Sequence, residues 1–197
     1  QIKMSSKNKN TKGLIIFCDL DDVICFWTKA AVKTLGLDFN DKEIRTKAQR
    51  GGIKDLAGGK DALWEKIDSE GSKWWENLEL LPWAKELKEM LEKEADYFAF
   101  FTSPSDDPAC ATGKIEFLKK HFGKDFKNFF IGSKKEFCAS PRTILVDDRE
   151  SNVNKFIDFG GKAFLWPSPI DIIDEKKNIE KVKQDLVSFI KDVKSKL

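Results

Sequence analysis

The stretch LIIFCDLDDVI, residues 14–24, sets an apolar run directly before three carboxylates, Asp19, Asp21 and Asp22. A continuous apolar run of strand length has no polar face to offer water. It reads as a strand buried on both sides, as in a parallel sheet. The acids that end it have two readings. They can form a solvated turn that caps the following helix. They can also surround a cation, because like charges held together cost free energy unless something neutralises them.

Outward from this stretch the same alternation recurs. Residues from about 26 to 36 read as a helix ending at Gly36, and Pro82 opens another, with Trp83, Leu87, Met90 and Leu91 on one face. YFAFF at 97–101 is a second buried strand, and Asp107–Pro108 reads as the cap and first turn of a helix running to His121. NFFIG at 128–132, TILVDD at 143–148 and KAFLW at 162–166 are further strands, with a helix to about residue 159 and an amphipathic tail over 174–197. Strands alternating with helices predict an α/β domain with a doubly wound parallel sheet. Residues 38–80 are rich in charge, glycine and tryptophan and contain no strand-like run. A connection of that length predicts a small helical cap insert. The expected organisation is a flexible lead over 1–13, a core domain from 14–27 and 81–197, and a cap insert over 28–80.

Composition narrows the function classes. Of 197 residues 41% are hydrophobic and 35% charged, and the net charge is +2, so the chain reads as a soluble globular protein rather than a nucleic-acid-polymer or membrane binder. The polar, lysine-rich start QIKMSSKNKNTKG has no apolar core of the secretory type. Cys18, Cys25, Cys110 and Cys138 lack metal-ligand spacing and read as reduced thiols of a cytoplasmic protein. His121 is the single histidine, which excludes zinc sites built on several histidines. It reads as a helix-end residue before Gly123, where a cation is favoured.

In parallel sheets of this kind, ligands bind beyond the carboxyl ends of the strands. Those ends carry Asp19, Asp21 and Asp22, then Thr102 and Ser103, then Lys134 and Lys135, then Asp147 and Asp148. The set suits phosphoryl transfer. Carboxylates hold Mg²⁺, one carboxylate can attack phosphorus, a lysine and a hydroxyl balance phosphate charge, and a second carboxylate serves as acid and base.

The sequences DLDDV at 19–23, Thr102 after FAFF, Lys135 in SKKEFCA and VDDRESN at 146–152 resemble the motifs of the haloacid dehalogenase (HAD) superfamily of phosphatases. FFTSP, WWENLELLPWAKELKEM and ILVDDR resemble the 5'(3')-deoxyribonucleotidases of phage and bacterial type. The resemblance implies that Asp19 is nucleophile and metal ligand, and that Asp21 is the general acid/base with its backbone carbonyl on the metal. Thr102 and Ser103 then bind phosphate, together with Lys135 or its neighbour Lys134. Asp147 and Asp148 complete the metal shell, one of them directly. Where this chain has Asp22 the family usually has glycine, and Asp is among the few residues that tolerate the left-handed backbone glycine favours.

The expected substrate is a small phosphomonoester, a deoxynucleoside monophosphate by resemblance. A sugar-phosphate phosphatase and a phospho-acceptor signalling domain are the alternatives. Trp27, Trp64, Trp74, Trp75 and Trp83 crowd into the insert and its borders. They can fill the core of a small lobe, or they can stack on a nucleobase. Phe26, Trp64 and Trp75 are the candidates for a base slot. The oligomeric state is left open, a homodimer included.

Overall fold

The computed structural model describes residues 13–197, so the lead expected over residues 1–13 lies, Gly13 apart, outside the described residues. Five strands form one parallel sheet: β1 (Ile15–Cys18), β2 (Tyr97–Thr102), β3 (Phe129–Ile131), β4 (Thr143–Asp147) and β5 (Lys162–Leu165). Their order is β3-β2-β1-β4-β5. That is the order of dinucleotide-type doubly wound sheets and differs from the 2-1-3-4-5 order of signalling receivers.

The apolar runs explain why both faces are covered. Ile16 and Cys18 of β1 point into the larger core, together with Phe98, Phe100, Ile144 and Val146. Phe17 points the other way, into a second cluster with Ala99, Phe101, Leu145 and Phe156. Register then fixes the site. Cys18 lies level with Phe100 and Val146, so the next residue along, Asp19, comes out beside Asp147. The Asp19 N–H donates to the Val146 carbonyl at 2.9 Å.

The helices α1 (Trp27–Thr34), α2 (Lys42–Ala48), α3 (Ile53–Leu56), α4 (Lys60–Ser69) and α5 (Ser72–Glu76) lie between β1 and the next core helix, α6 (Ala84–Glu94). The chain enters and leaves this helical segment side by side, and its buried residues Trp27, Leu63, Ile67 and Trp75 join the larger core. Phe26 N–H donates to the Glu79 carbonyl, Leu81 N–H to that of Ile24, and Cys25 bridges Leu80. Helix α6 starts two residues after Pro82 because Trp83 serves as its boundary, its indole N–H held by the Val23 carbonyl at 2.9 Å. The remaining helices are α7 (Pro108–Phe122), α8 (Glu150–Asp158), α9 (Pro169–Ile173) and α10 (Ile179–Ser195). The tail expected over 174–197 is one helix, α10, capped by Asn178, and a separate short helix, α9, started by Ser168 and Pro169, precedes it. Asp107 caps α7 with Pro108 in its first turn.

His121 sits in the last turn of α7 but is not the favoured cation expected there. Burial, with Lys120 and Lys85 nearby, lowers its pKa, and its buried Nε2 has no partner. Among the described residues no helix is long and apolar enough to cross a membrane. All four cysteines are free.

Candidate active site

The β1–α1 turn delivers Asp19 and Asp21 to opposite sides. Lys135 stands in a short 3₁₀ turn after β3 and is 3% exposed, whereas Lys134 is exposed. The Lys135 ammonium donates to Asp19 Oδ1 and to Asp147 Oδ2, each at 2.7 Å. Burial pulls its pKa down, but those two facing carboxylates more than offset this, so it stays charged. Asp147 is fully buried and already engaged: it also accepts from the Arg149 N–H at 2.9 Å and from the Asn152 amide at 3.0 and 3.1 Å.

Asp148 differs. Its Oδ1 is buried and has no partner. Burial, with Asp22, Asp19 and Asp147 close by, pushes its carboxyl well above the usual range. One oxygen each of Asp19, Asp147 and Asp148 lie within 4.8 Å of one another. A cluster of carboxylate oxygens, one of them without a partner, fits a hard divalent cation.

Asp21 faces a second buried ammonium that the motif reading missed. Lys114 of α7, 2% exposed, donates to Asp21 Oδ2 at 2.7 Å, to Thr102 Oγ1 at 2.6 Å and to the Ser103 carbonyl at 2.8 Å. Burial opposes its charge, while Asp21, Cys110 and Asp19 favour it, and the balance raises its pKa. In the sequence Lys114 is one of several lysines on an ordinary helix. Only its place one helical turn beyond Cys110, on the inner face of α7, could have hinted at burial.

Trp27, Trp64, Trp74 and Trp75 form one group, with Trp75 against Gly113 of α7. Trp27 contacts Trp64 and Trp74, Trp74 contacts Trp75, and Trp64 and Trp75 are near parallel with centroids 6.4 Å apart. Trp75 is 2% exposed, and the Lys114 ammonium lies 5.0 Å from its ring centre. Phe26, 5% exposed, packs edge-on against Phe39 rather than in that stack, and Trp83 pairs instead with Trp166. The structure thus brings Asp19, Lys135, Asp147 and Asp148 into one cluster. It brings Asp21, Thr102 and the Ser103 backbone into another, around Lys114, with Trp75 beside it and Trp64 behind.

The sequence profile of the 5' nucleotidase, deoxy (pyrimidine), cytosolic type C protein family matches residues 13–192. No curated protein sequence matches the chain. Among solved structures, a Bacteroides fragilis protein described as haloacid dehalogenase-like is 13% identical, with a TM-score of 0.54 over 77% of this chain and 86% of that one. A HAD family hydrolase from Deinococcus radiodurans, crystallised with bound phosphate and sodium, is 13% identical, with a TM-score of 0.50 over 78% and 79%. A haloacid dehalogenase-like hydrolase from Streptococcus pneumoniae is 14% identical, with a TM-score of 0.50 over 89% and 98%. At these identities the structures speak for the fold alone.

Proposed function

The chain belongs to the family of the cytosolic type C deoxy (pyrimidine) 5' nucleotidases, built on the HAD hydrolase fold, and from that premise we propose that it is a Mg²⁺-dependent phosphatase of deoxynucleoside monophosphates. The observation that carries this reading is the Lys114 network. One buried ammonium ties Asp21, the Thr102 hydroxyl and the face of Trp75 together. It joins the acid, the phosphate side and the aromatic lobe in a single contact set.

In this reading Asp19 attacks phosphorus. A bond forms from its carboxylate oxygen, and the ester P–O bond breaks. Asp21 gives the leaving oxygen its proton, then takes one from water, which attacks the aspartyl-phosphate, frees inorganic phosphate and restores Asp19. Lys135 holds Asp19 in line, and Lys114, Thr102 and Ser103 balance the phosphate oxygens. Mg²⁺ bound among the carboxylates supplies the further positive charge that a phosphoryl group needs. Asp148 is assigned as the direct ligand beside Asp19, because its Oδ1 has no partner. Asp147 stands behind it, its oxygens already taken by Lys135, Asn152 and the Arg149 N–H. The Asp21 backbone carbonyl completes the protein's share.

Of the three aromatic candidates, Trp64, half-buried, is assigned to the nucleoside side, while Trp75 and Phe26, buried against Lys114 and Phe39, support the lobe from inside. A stacked base is worth about 1–3 kcal/mol and is read without strict sequence preference. The family's cytosolic description and the four free thiols favour a reducing cytosol.

The test is a panel of deoxynucleoside, ribonucleoside and sugar monophosphates, assayed with Mg²⁺ and after EDTA. The expected outcome is preference for deoxynucleotides, loss of turnover in EDTA and recovery with Mg²⁺. Asp19→Asn in the same assay should lose at least about 10⁴-fold in kcat, since an amide is a poor nucleophile. Equal turnover of sugar phosphates would end the nucleotidase reading, and full activity without divalent cation would end the metal assignment.

A further inference from the structure

The catalytic turn contains a buried acid that this chemistry does not use. Asp22 is 9% exposed and, with Glu175, is one of two non-glycine residues at positive φ among the described residues, at 58°. Glycine holds that backbone with less strain but brings no side chain. The Asp22 side chain is therefore the feature to explain. Its Oδ1 accepts from the Thr28 N–H at 2.9 Å, and its Oδ2 accepts from the Thr28 hydroxyl. Thr28 is the second residue of α1, and Phe26, which precedes that helix, offers no side-chain cap. The N–H that a neighbouring cap would ordinarily satisfy is satisfied by an acid from the catalytic turn six residues upstream. The carboxylate also faces the positive end of the helix dipole.

Helix α1 begins the lobe and carries Trp27, which packs against Trp64 at 6.0 Å and Trp74 at 6.2 Å. The turn itself is closed by the Asp22 N–H on the Cys25 carbonyl at 2.7 Å. A chain of direct contacts therefore runs from the residue next to Asp21, through Thr28, to the tryptophan group.

We infer that Asp22 is a positioning residue that locks the first lobe helix, and with it the tryptophans, to the loop carrying Asp19 and Asp21. Nucleoside and phosphate ends of the substrate are thereby held at one fixed spacing. The substrate arm of this inference rests on the nucleotidase reading. Without the Asp22 carboxylate, the joint keeps the Phe26–Glu79 and Leu81–Ile24 backbone bonds and the Lys29–Glu79 ion pair, none of which holds the first turn of α1 to the catalytic loop.

Two variants and two readouts test it. Asp22→Gly relaxes the backbone but deletes the anchor. Asp22→Asn keeps an acceptor for the Thr28 N–H and turns its amide toward the hydroxyl. Asp22→Gly should lower the ratio of kcat/KM for a deoxynucleoside monophosphate to that for p-nitrophenyl phosphate about tenfold, mainly by raising the nucleotide KM. Asp22→Asn should restore the ratio to within about twofold of wild type. In substrate-free protein, amides of residues 27–31 should exchange faster in Asp22→Gly and regain protection in Asp22→Asn. The exchange arm uses no nucleotide, so it decides the inference even where the wild type shows no nucleotide preference, the result that ends the nucleotidase reading instead. Unchanged exchange in Asp22→Gly, or equal losses on both substrates, overturns the inference. Should Asp22→Gly not fold, Thr28→Val removes only the hydroxyl donor. It must then shift both readouts the same way, and wild-type behaviour in that variant overturns the inference equally.

Discussion

Asp19 and Asp21 stand two residues apart, yet each faces a different buried ammonium, Lys135 in one case and Lys114 in the other. Removing either cation should therefore damage a different half of the reaction. Lys114→Met keeps the volume and the contact with Trp75 but leaves Asp21 and Thr102 without their shared donor. An oxyanion-stabilising donor is worth about 10²–10³ in rate, so kcat/KM should fall by about that much on both p-nitrophenyl phosphate and nucleotides. Steady-state assays with a circular-dichroism check of folding measure it, and near wild-type activity would remove Lys114 from the site. The aspartates, and a lysine at 134 or 135, were legible as candidates in the sequence because each follows a strand end. Lys114 was not, because a lysine on a helix looks like any other until its face is known. The choice between Lys134 and Lys135 was likewise open; in the fold Lys135 is buried against Asp19 and Asp147, and Lys134 is exposed.

Helices α5 and α7 meet closely enough that a Cβ at Gly113 would overlap the Ser72 carbonyl and the Trp75 Cβ. Glycine inside a helix ordinarily costs about 1 kcal/mol relative to alanine, so by propensity alone Gly113 would weaken α7. Packing reverses the sign. Gly113→Ala should destabilise by about 1–3 kcal/mol in urea denaturation, as overpacking does, and should push Trp75 away from Lys114. A stabilised variant would mean that α5 retreats freely. The other end of α7 carries the pH-sensitive group. His121 is harder to protonate folded than unfolded, because burial opposes the charge and its Nε2 has no acceptor. Below its unfolded pKa of about 6.5 the unfolded chain then binds more protons, so His121 favours folding above that pH and its contribution is lost as pH falls. Denaturation across pH 5–8 should show that His121→Gln lacks this loss. The difference between the two curves isolates His121 from the buried aspartates, whose raised pKa values act in the opposite direction. Element types were readable from the sequence because apolar runs and helical spacing differ in period. Helix ends were less so. Pro82 looked like a first turn, but Trp83, tied to Val23 across the core, sets where α6 begins.

At the scale of the molecule, the sheet order puts β1 between β2 and β4, so the acids after β1 and β4 come out side by side. The fold was legible because alternating buried strands leave few topologies. Contacts such as Arg45 with Asp174, which tie the lobe to the segment after β5, were not, since nothing in a single sequence pairs residues so far apart. The same sheet edge stores the cost of the site. Asp148 is held among Asp22, Asp19 and Asp147 with a buried oxygen that accepts nothing, and its raised pKa means that ionisation at neutral pH works against folding. Asp148→Asn removes the cost of ionising that carboxyl. In the metal-free protein it should therefore raise the melting temperature, by about 2–4 °C for each kcal/mol of that cost in a chain of this size. A cation that binds only the folded state should stabilise the wild type in proportion to its excess over Kd, and should do so far less in the variant. The two thermal curves must cross over: Asp148→Asn ahead without Mg²⁺, wild type gaining with it, and turnover surviving only in the wild type. If Mg²⁺ shifts both proteins equally, the ion binds elsewhere. If Asp148→Asn is the less stable protein without metal, the buried carboxylate holds the fold together rather than waiting for a cation.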